Sequence, residues 1–92
     1  MRDVIPFASY LIWAMQGRGK ISNKAIYREV ARLCRMYGRV LPLNWESMVR
    51  RTLQSRCPGR PRHNGRDDFF VWHGRGLWSC KVAPATDLDL VA

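Results

Sequence analysis

The sequence predicts a small α+β domain made of three helices, one short strand and a C-terminal β-hairpin. Apolar residues recur at helical spacing in three segments, glycine and proline separate those segments, and an aromatic, β-branched run follows the last one. A chain of 92 residues is large enough for one modest core and too small for a second. Residues 1–82 are therefore assigned to one domain, and residues 83–92, an acidic and apolar tail, are expected to be disordered.

The first helix is predicted over residues 4–16. Pro6 is tolerated only in the first turn of a helix, and Gly17 ends the segment. The expected inner face consists of Val4, Ala8, Leu11, Ile12 and Met15. Three aromatic residues lie off that face, so they are expected either to pack on the hairpin strands or to contact a second copy or a protein partner: Phe7, Tyr10 and Trp13.

A short strand is expected at Ile21, and Ser22 or Asn23 is expected to cap a second helix that runs to about Tyr37. The apolar positions of this helix follow helical periodicity and are Ile26, Val30, Leu33 and Tyr37. Gly38 is the expected C-terminal breaker.

The third helix is predicted from Trp45 to about Ser55, with Asn44 as its N-cap and Pro42 preventing continuation from the second helix. Its expected inner face consists of Trp45, Met48, Val49, Thr52 and Leu53. Prolines and glycine then end the helix.

A basic stretch without regular structure is expected from Arg56 to Arg66. The aromatic run from Phe69 to Trp72 predicts a strand, and residues 77–82 predict the returning strand. The two strands are joined by a turn at residues 73–76, and Trp72 and Trp78 are expected to meet across the hairpin.

Helix, strand, helix, helix and hairpin follow one another as in a winged helix-turn-helix. The segment 43–54, followed by Phe69-Phe70 and residues 74–78, resembles winged helices found beside bacterial restriction-type nuclease domains. It is similar to the HARE helix-turn-helix group over roughly residues 5–82. This resemblance implies a DNA-binding module. The chain contains no nuclease domain, so the resemblance leaves the biological task of the module open.

Charge points independently to nucleic acid. The chain carries sixteen Lys and Arg against seven Asp and Glu, a formal net charge of +9, and thirteen of the bases are arginine. The planar arginine fork matches phosphate and guanine edges better than lysine does. An anionic membrane surface or an acidic protein would also attract such a chain, and these alternatives stay open on charge alone.

The candidate base-reading residues lie on the third helix. Removing its apolar face leaves a polar side that would enter the major groove, with Ser47, Arg50, Arg51 and Gln54. Arg75, between two glycines at the hairpin tip, is the candidate wing residue for a minor groove. Phosphate contacts are expected from Arg28, Arg32 and Arg35 on the second helix and from Arg56, Arg60, Arg62 and Arg66 in the basic stretch. For each of these arginines the simpler interpretation is a solvated surface.

Metal and catalytic chemistry are not expected. The residues that zinc would recruit, Cys57, His63, His73 and Cys80, lack the close paired spacing of structural zinc sites. Asp67 and Asp68 are adjacent but lack the further residues of a nuclease site. No enzyme activity, metal or cofactor is therefore predicted.

These features favour a cytoplasmic protein that binds double-stranded DNA as a small bacterial or phage transcriptional regulator. No apolar run approaches the roughly 20 residues of a membrane span, no signal-peptide cleavage pattern is seen, and three cysteines fit reduced thiols. The alternative is a protein-interaction module that inhibits or recruits a host nucleoprotein through Phe7, Tyr10 and Trp13. Binding to structured RNA also stays open, because charge alone does not exclude it.

Overall fold

A computed structural model describes residues 5–82 of the chain. Three helices and three strands follow each other as α1 Phe7–Met15, β1 Ile21–Ser22, α2 Asn23–Met36, α3 Trp45–Ser55, β2 Phe70–Trp72 and β3 Leu77–Cys80. The predicted α+β class is confirmed, and each predicted element is present with small differences at its ends. Val4 and the tail 83–92, expected to be disordered, lie outside the described residues.

The predicted ends of α2 are confirmed. The Ser22 hydroxyl accepts a hydrogen bond from the Ala25 backbone N–H at 3.2 Å, which satisfies one of the free donors of the first turn. At the other end Gly38 adopts a φ of 71°, and the Arg39 N–H reaches back to the Cys34 carbonyl at 2.7 Å. A left-handed residue after the last turn is the usual way to end a helix.

The start of α3 differs from the prediction. Asn44 occupies the N-cap position, but its side chain makes no capping hydrogen bond, because its φ of −95° and ψ of 25° are not the extended conformation that such a cap needs. The backbone caps the helix instead. The Trp45 N–H donates to the Pro42 carbonyl at 3.1 Å, so the turn at Pro42 leads directly into α3.

The three strands form one antiparallel sheet in the order β1-β3-β2. Because β3 is central, Ile21 pairs with Trp78 and the N-terminal half of the domain is joined to the C-terminal hairpin. Trp72 and Trp78 are direct cross-strand partners, as predicted. Trp78 is buried, whereas Trp72 is 44% exposed and packs against a guanidinium from the basic stretch.

The core lies between the helices and the sheet. Most of the predicted inner positions of α2 and α3 contribute to it, with Ile26, Val30, Val49 and Leu53 fully buried. Cys34 joins them, although the apolar pattern did not single it out. Tyr37, predicted to be inside, is 55% exposed, because α2 has ended by this residue and no longer directs it to the core.

The predicted inner face of α1 is wrong in part. Tyr10 is only 2% exposed and joins Leu11, Ala14 and Met15 in the core. The aromatic set expected on the surface is therefore divided: Tyr10 is buried, Phe7 is partly buried against the core and Trp13 is 42% exposed. Nearly every position of α1 is apolar, so its inner face is decided by the contacts with α2 and β3 and not by periodicity.

The basic stretch between α3 and β2 has no helix or strand, as predicted, but backbone hydrogen bonds fix it to the domain. The Asn64 N–H donates to the Ser55 carbonyl at 2.8 Å, and the Phe69 and Phe70 N–H groups both donate to the Arg56 carbonyl. Cys57 is 3% exposed and packs in the core. The segment is therefore held against both α3 and the sheet.

Candidate nucleic-acid interface

The outer side of α3 forms a shallow depression of about 250 Å³. The four residues predicted from the helix are brought together there, and the basic stretch adds one more, so that the lining consists of Ser47, Arg50, Arg51, Gln54 and Arg62. Three arginines and two hydrogen-bonding side chains give the depression a positive, strongly polar surface. Such a surface can bind phosphate oxygens or the acceptor groups of bases.

Arg50 is held in a fixed orientation within this surface. Its guanidinium donates to the Tyr27 hydroxyl at 3.0 Å and to the Ser47 hydroxyl at 2.9 Å. The Tyr27 ring packs edge-on against Trp45, with centroids 5.8 Å apart. The first turn of α3 and the second turn of α2 therefore orient Arg50 together.

Tyr27 belongs to this site, although no sequence pattern predicts it. It lies beside the predicted inner positions of α2 and is only partly buried, so helical periodicity alone did not mark it. Its hydrogen bond depends on how α2 and α3 cross, and no local sequence signal reports that crossing.

The hairpin tip is a tight turn in the left-handed region. Gly74, Arg75 and Gly76 have φ values of 86°, 52° and 71°. The His73 N–H donates to the Leu77 carbonyl at 2.8 Å and closes the turn. The Gly76 carbonyl also accepts from the Asn23 N–H at 3.0 Å, which ties the tip to the start of α2. Arg75 is thus exposed on a turn that is fixed on both sides.

The arginines of α2 are exposed but not equivalent. Arg32 donates two hydrogen bonds to the Glu29 carboxylate, at 2.9 and 3.0 Å, and Arg18 lies 3.3 Å from the same oxygen. The hydrogen bond from Arg32 is the main reason why the pKa of Glu29 is lowered, with the positive charge of Arg18 adding to it. Among the described residues Arg28 and Arg35 make no ion pair, so their charges are the more available ones on this helix.

The four arginines of the basic stretch separate into three groups. Arg56 and Arg66 each lie 3.4 Å from an oxygen of Asp67, whose carboxylate also accepts from the Asn64 amide at 2.9 Å. The Asn64 hydrogen bond and the two arginines lower the pKa of Asp67. Arg62 faces the α3 depression, and Arg60 stacks on Trp72 with 4.0 Å between its guanidinium carbon and the ring centroid. Two of the four charges are therefore partly balanced within the fold.

The residues considered for zinc are engaged separately. The His63 Nε2 lies 2.6 Å from the Asp67 carbonyl oxygen, and the His73 Nε2 lies 2.8 Å from the Ser79 hydroxyl. Cys57 is in the core, and burial raises the pKa of the Cys80 thiol. Over residues 5–82, no group of three or more His, Cys, Asp and Glu is placed to hold a metal ion.

The exposed aromatic surface differs from the predicted one. Trp13 packs on Tyr37 with ring centroids 5.7 Å apart, and both rings remain partly in solvent. Phe7 and Tyr10 instead flank Arg39, whose guanidinium carbon lies 5.5 Å from one ring centroid and 5.4 Å from the other. Any partner that contacts this end of the domain would therefore meet Trp13 and Tyr37.

Comparison of the chain with protein-family models, with curated proteins and with solved structures gives no match. None of the helices in the described part of the chain is long and apolar enough to cross a membrane.

Proposed function

We propose that this chain is a winged helix-turn-helix protein that binds double-stranded DNA, with α3 in the major groove and the hairpin tip at an adjacent groove. The observation that most strongly supports this proposal is the positive depression on the outer side of α3, where Arg50, Arg51 and Gln54 lie beside Arg62. Arginine and glutamine are the side chains that bind guanine and adenine through two hydrogen bonds each.

The strand order supports this assignment. A strand between the first two helices pairs with the second strand of the hairpin, so that three helices and a wing form one unit. In that arrangement the helix before the hairpin is free on its outer side, and the arginines of α2 face the flanking phosphates. Arg28 and Arg35 then supply attraction that does not depend on sequence.

The task that fits best is regulation of transcription by a small bacterial or phage protein. One such module buries only roughly 600–1,000 Å² of surface on DNA, so a second copy or a partner is expected on a specific site. A half-site repeat in the selected DNA would identify the second copy directly.

The proposal is tested by selecting bound sequences from a pool of random duplexes and measuring anisotropy at several salt concentrations. An enriched motif with affinity that falls steeply as salt rises is expected. Arg51→Ala should lose about 1–3 kcal/mol on the preferred sequence and relax the motif, whereas Arg35→Ala should weaken all duplexes equally. Retention of wild-type affinity and motif by Arg51→Ala would refute the role of α3.

A protein partner is the second candidate, favoured by the exposed Trp13–Tyr37 pair. The double variant Trp13→Ala/Tyr37→Ala should bind duplex DNA normally under the main proposal. A chain that binds no duplex at low salt, but loses a protein partner in this double variant, would favour the second candidate. Structured RNA should compete poorly with duplex DNA under the main proposal, because the narrow A-form major groove does not admit a recognition helix.

A further inference from the structure

A second cavity, of about 310 Å³, lies between the turn that follows α3 and the strand β2. Its lining comes from that turn, from β2 and from the residue after β3: Cys57, Pro58, Gly59, Arg60, Phe70, Val71, Trp72 and Lys81. Cys57 and Phe70 are almost fully buried below the cavity. The apolar floor that a ligand can reach is formed by Pro58 and Val71 beside Trp72. Positive charge is confined to Arg60 and Lys81.

Arg60 is held in the cavity but has an unsatisfied donor. Its backbone N–H donates to the Cys57 carbonyl at 3.2 Å, and its guanidinium stacks on Trp72. The Nε atom is buried and has no hydrogen-bond acceptor, and the side chain makes no ion pair within residues 5–82. A buried donor on a charged group without an acceptor is costly, and an anion bound beside the guanidinium would compensate its charge.

The charge of the cavity suits one negative group. The Lys81 ammonium is 2.7 Å from the Asp68 carboxylate, so this pair is nearly neutral. Arg60 is left with one uncompensated positive charge beside an apolar floor and an exposed indole. A flat apolar group can pack on such a floor while its acidic group binds the guanidinium.

We propose that this cavity binds a small aromatic anion, with Arg60 donating to the acidic group and the ring lying on the apolar floor beside Trp72. The volume is near the lower limit for ligand sites, which restricts the ligand to one or two rings. Free aromatic acids and mononucleotides share this chemistry. The site is separate from the α3 depression, so the proposal stands independently of DNA binding.

The test is a titration of the isotope-labelled chain, followed by NMR at the indole N–H of Trp72, which is assigned from its absence in Trp72→Phe. Indole-3-acetate and adenosine 5′-monophosphate are the two probes, and a saturable shift with a Kd on the order of 0.1–1 mM is expected for at least one. Tighter binding of indole-3-acetate would identify a free aromatic acid as the ligand, and tighter binding of adenosine 5′-monophosphate would identify a mononucleotide. Uncharged indole-3-acetamide should bind roughly tenfold more weakly than indole-3-acetate, because it lacks the charge that Arg60 would bind.

Arg60→Gln should weaken binding by roughly tenfold or more, because it removes the charged donor. Arg62→Gln is the matched control: it changes the same residue type two positions away, on the α3 depression, and should leave the titration unchanged. Urea unfolding of each variant verifies that its fold is intact. The proposal is overturned if neither probe gives a saturable shift below about 10 mM, or if Arg60→Gln binds as tightly as the wild type.

Discussion

Among single residues, Arg50 and Tyr27 show how a side chain of the proposed interface can be oriented before it binds DNA. An unrestrained arginine loses rotamer freedom when it binds, and this loss reduces affinity. Two hydroxyl acceptors already hold Arg50, and Trp45 supports the ring of Tyr27. Arg50 would therefore lose less rotamer freedom on binding DNA than an unrestrained arginine.

Replacing Tyr27 with Phe removes one of these acceptors and keeps the ring contact with Trp45. We expect roughly two- to tenfold weaker binding to the preferred duplex, the loss associated with one hydrogen bond. The free energy of unfolding should change by less than about 1 kcal/mol, because this bond is exposed to solvent. Tyr37→Phe, whose hydroxyl makes no hydrogen bond in the described part of the chain, is the control. Equal DNA affinity in both variants would remove Tyr27 from the site.

Asp67 makes the stability of the domain depend on acid. Its pKa lies below the ordinary value of 3.8 because of Asn64, Arg66 and Arg56, so folding favours the charged carboxylate. This contribution is complete above the unfolded-state pKa and is lost as the pH falls through the lower folded-state value. Asp67→Asn should therefore be less stable at neutral pH and lose less stability below about pH 4. Urea midpoints between pH 7 and 2 measure both effects, and parallel curves for the two proteins would contradict the assignment.

Helical periodicity predicts the burial of a side chain correctly where polar residues separate the apolar positions of the helix. Val30, Val49 and Leu53 were placed in the core from periodicity alone, because polar residues separate them. Tyr10 was misplaced because α1 is apolar on almost all sides. The contact between Tyr27 and Arg50 depends on packing between helices, which periodicity does not describe.

At the scale of elements, the hairpin combines a strained tip with fixed ends. Arg75 holds a φ of 52°, a conformation that costs energy for residues other than glycine, asparagine and aspartate. A short turn needs this geometry, and the flanking glycines adopt it readily. Keeping an arginine at the strained position is consistent with a role for its charge at the proposed groove.

Arg75→Asn separates that role from the fold, because asparagine tolerates the left-handed region. The unfolding free energy should stay within about 0.5 kcal/mol of the wild type. Binding to duplexes with an A·T-rich flank should weaken by about 1 kcal/mol, the lower end for an arginine that contacts bases. Arg75→Lys retains the charge and should retain most of the affinity. Anisotropy with A·T-rich and G·C-rich flanks tests this, and unchanged binding by Arg75→Asn would exclude a contact at the wing.

The limits of the elements were predictable to the extent that local chemistry sets them. Ser22 and Gly38 carry strong capping preferences, and the structure uses both. Asn44 carries a similar preference but is placed in a different conformation by the turn at Pro42. The hydrogen bonds that fix the basic stretch join residues that are well separated in the sequence. Composition alone indicates only an irregular segment.

Across the whole molecule, some of the positively charged side chains are paired with acids and others are not. Glu29 and Asp67 each pair with two arginines. Four arginines are therefore partly neutralised, and arginines without an ion pair within residues 5–82 lie on α3, on parts of α2, in the basic stretch and at the hairpin tip. The formal net charge follows from the sequence, but which arginines pair with a carboxylate depends on the fold.

This distribution predicts the salt dependence of the proposed DNA binding. Arg28→Gln should reduce the slope of log K against log salt by about one, because a free arginine contacts one phosphate. Arg32→Gln is the matched change four residues later on the same helix. It should reduce the slope less, because Glu29 already holds that guanidinium. Equal changes in the two slopes would show that the Glu29 pairing is broken in the complex.

The pairing of β1 with β3 also has a consequence for how the chain reaches its native state. Ile21 must find Trp78, so the sheet closes only after almost the whole domain has been synthesised. Closing so long a loop is entropically costly, and folds dominated by such distant pairings form more slowly than those built from local contacts. A nascent chain that has made only its helices would leave Phe70 and Trp78 out of the core, with the apolar surface they cover still open to water. The interval before β3 emerges is therefore when this small domain is most exposed to aggregation and to cellular proteases.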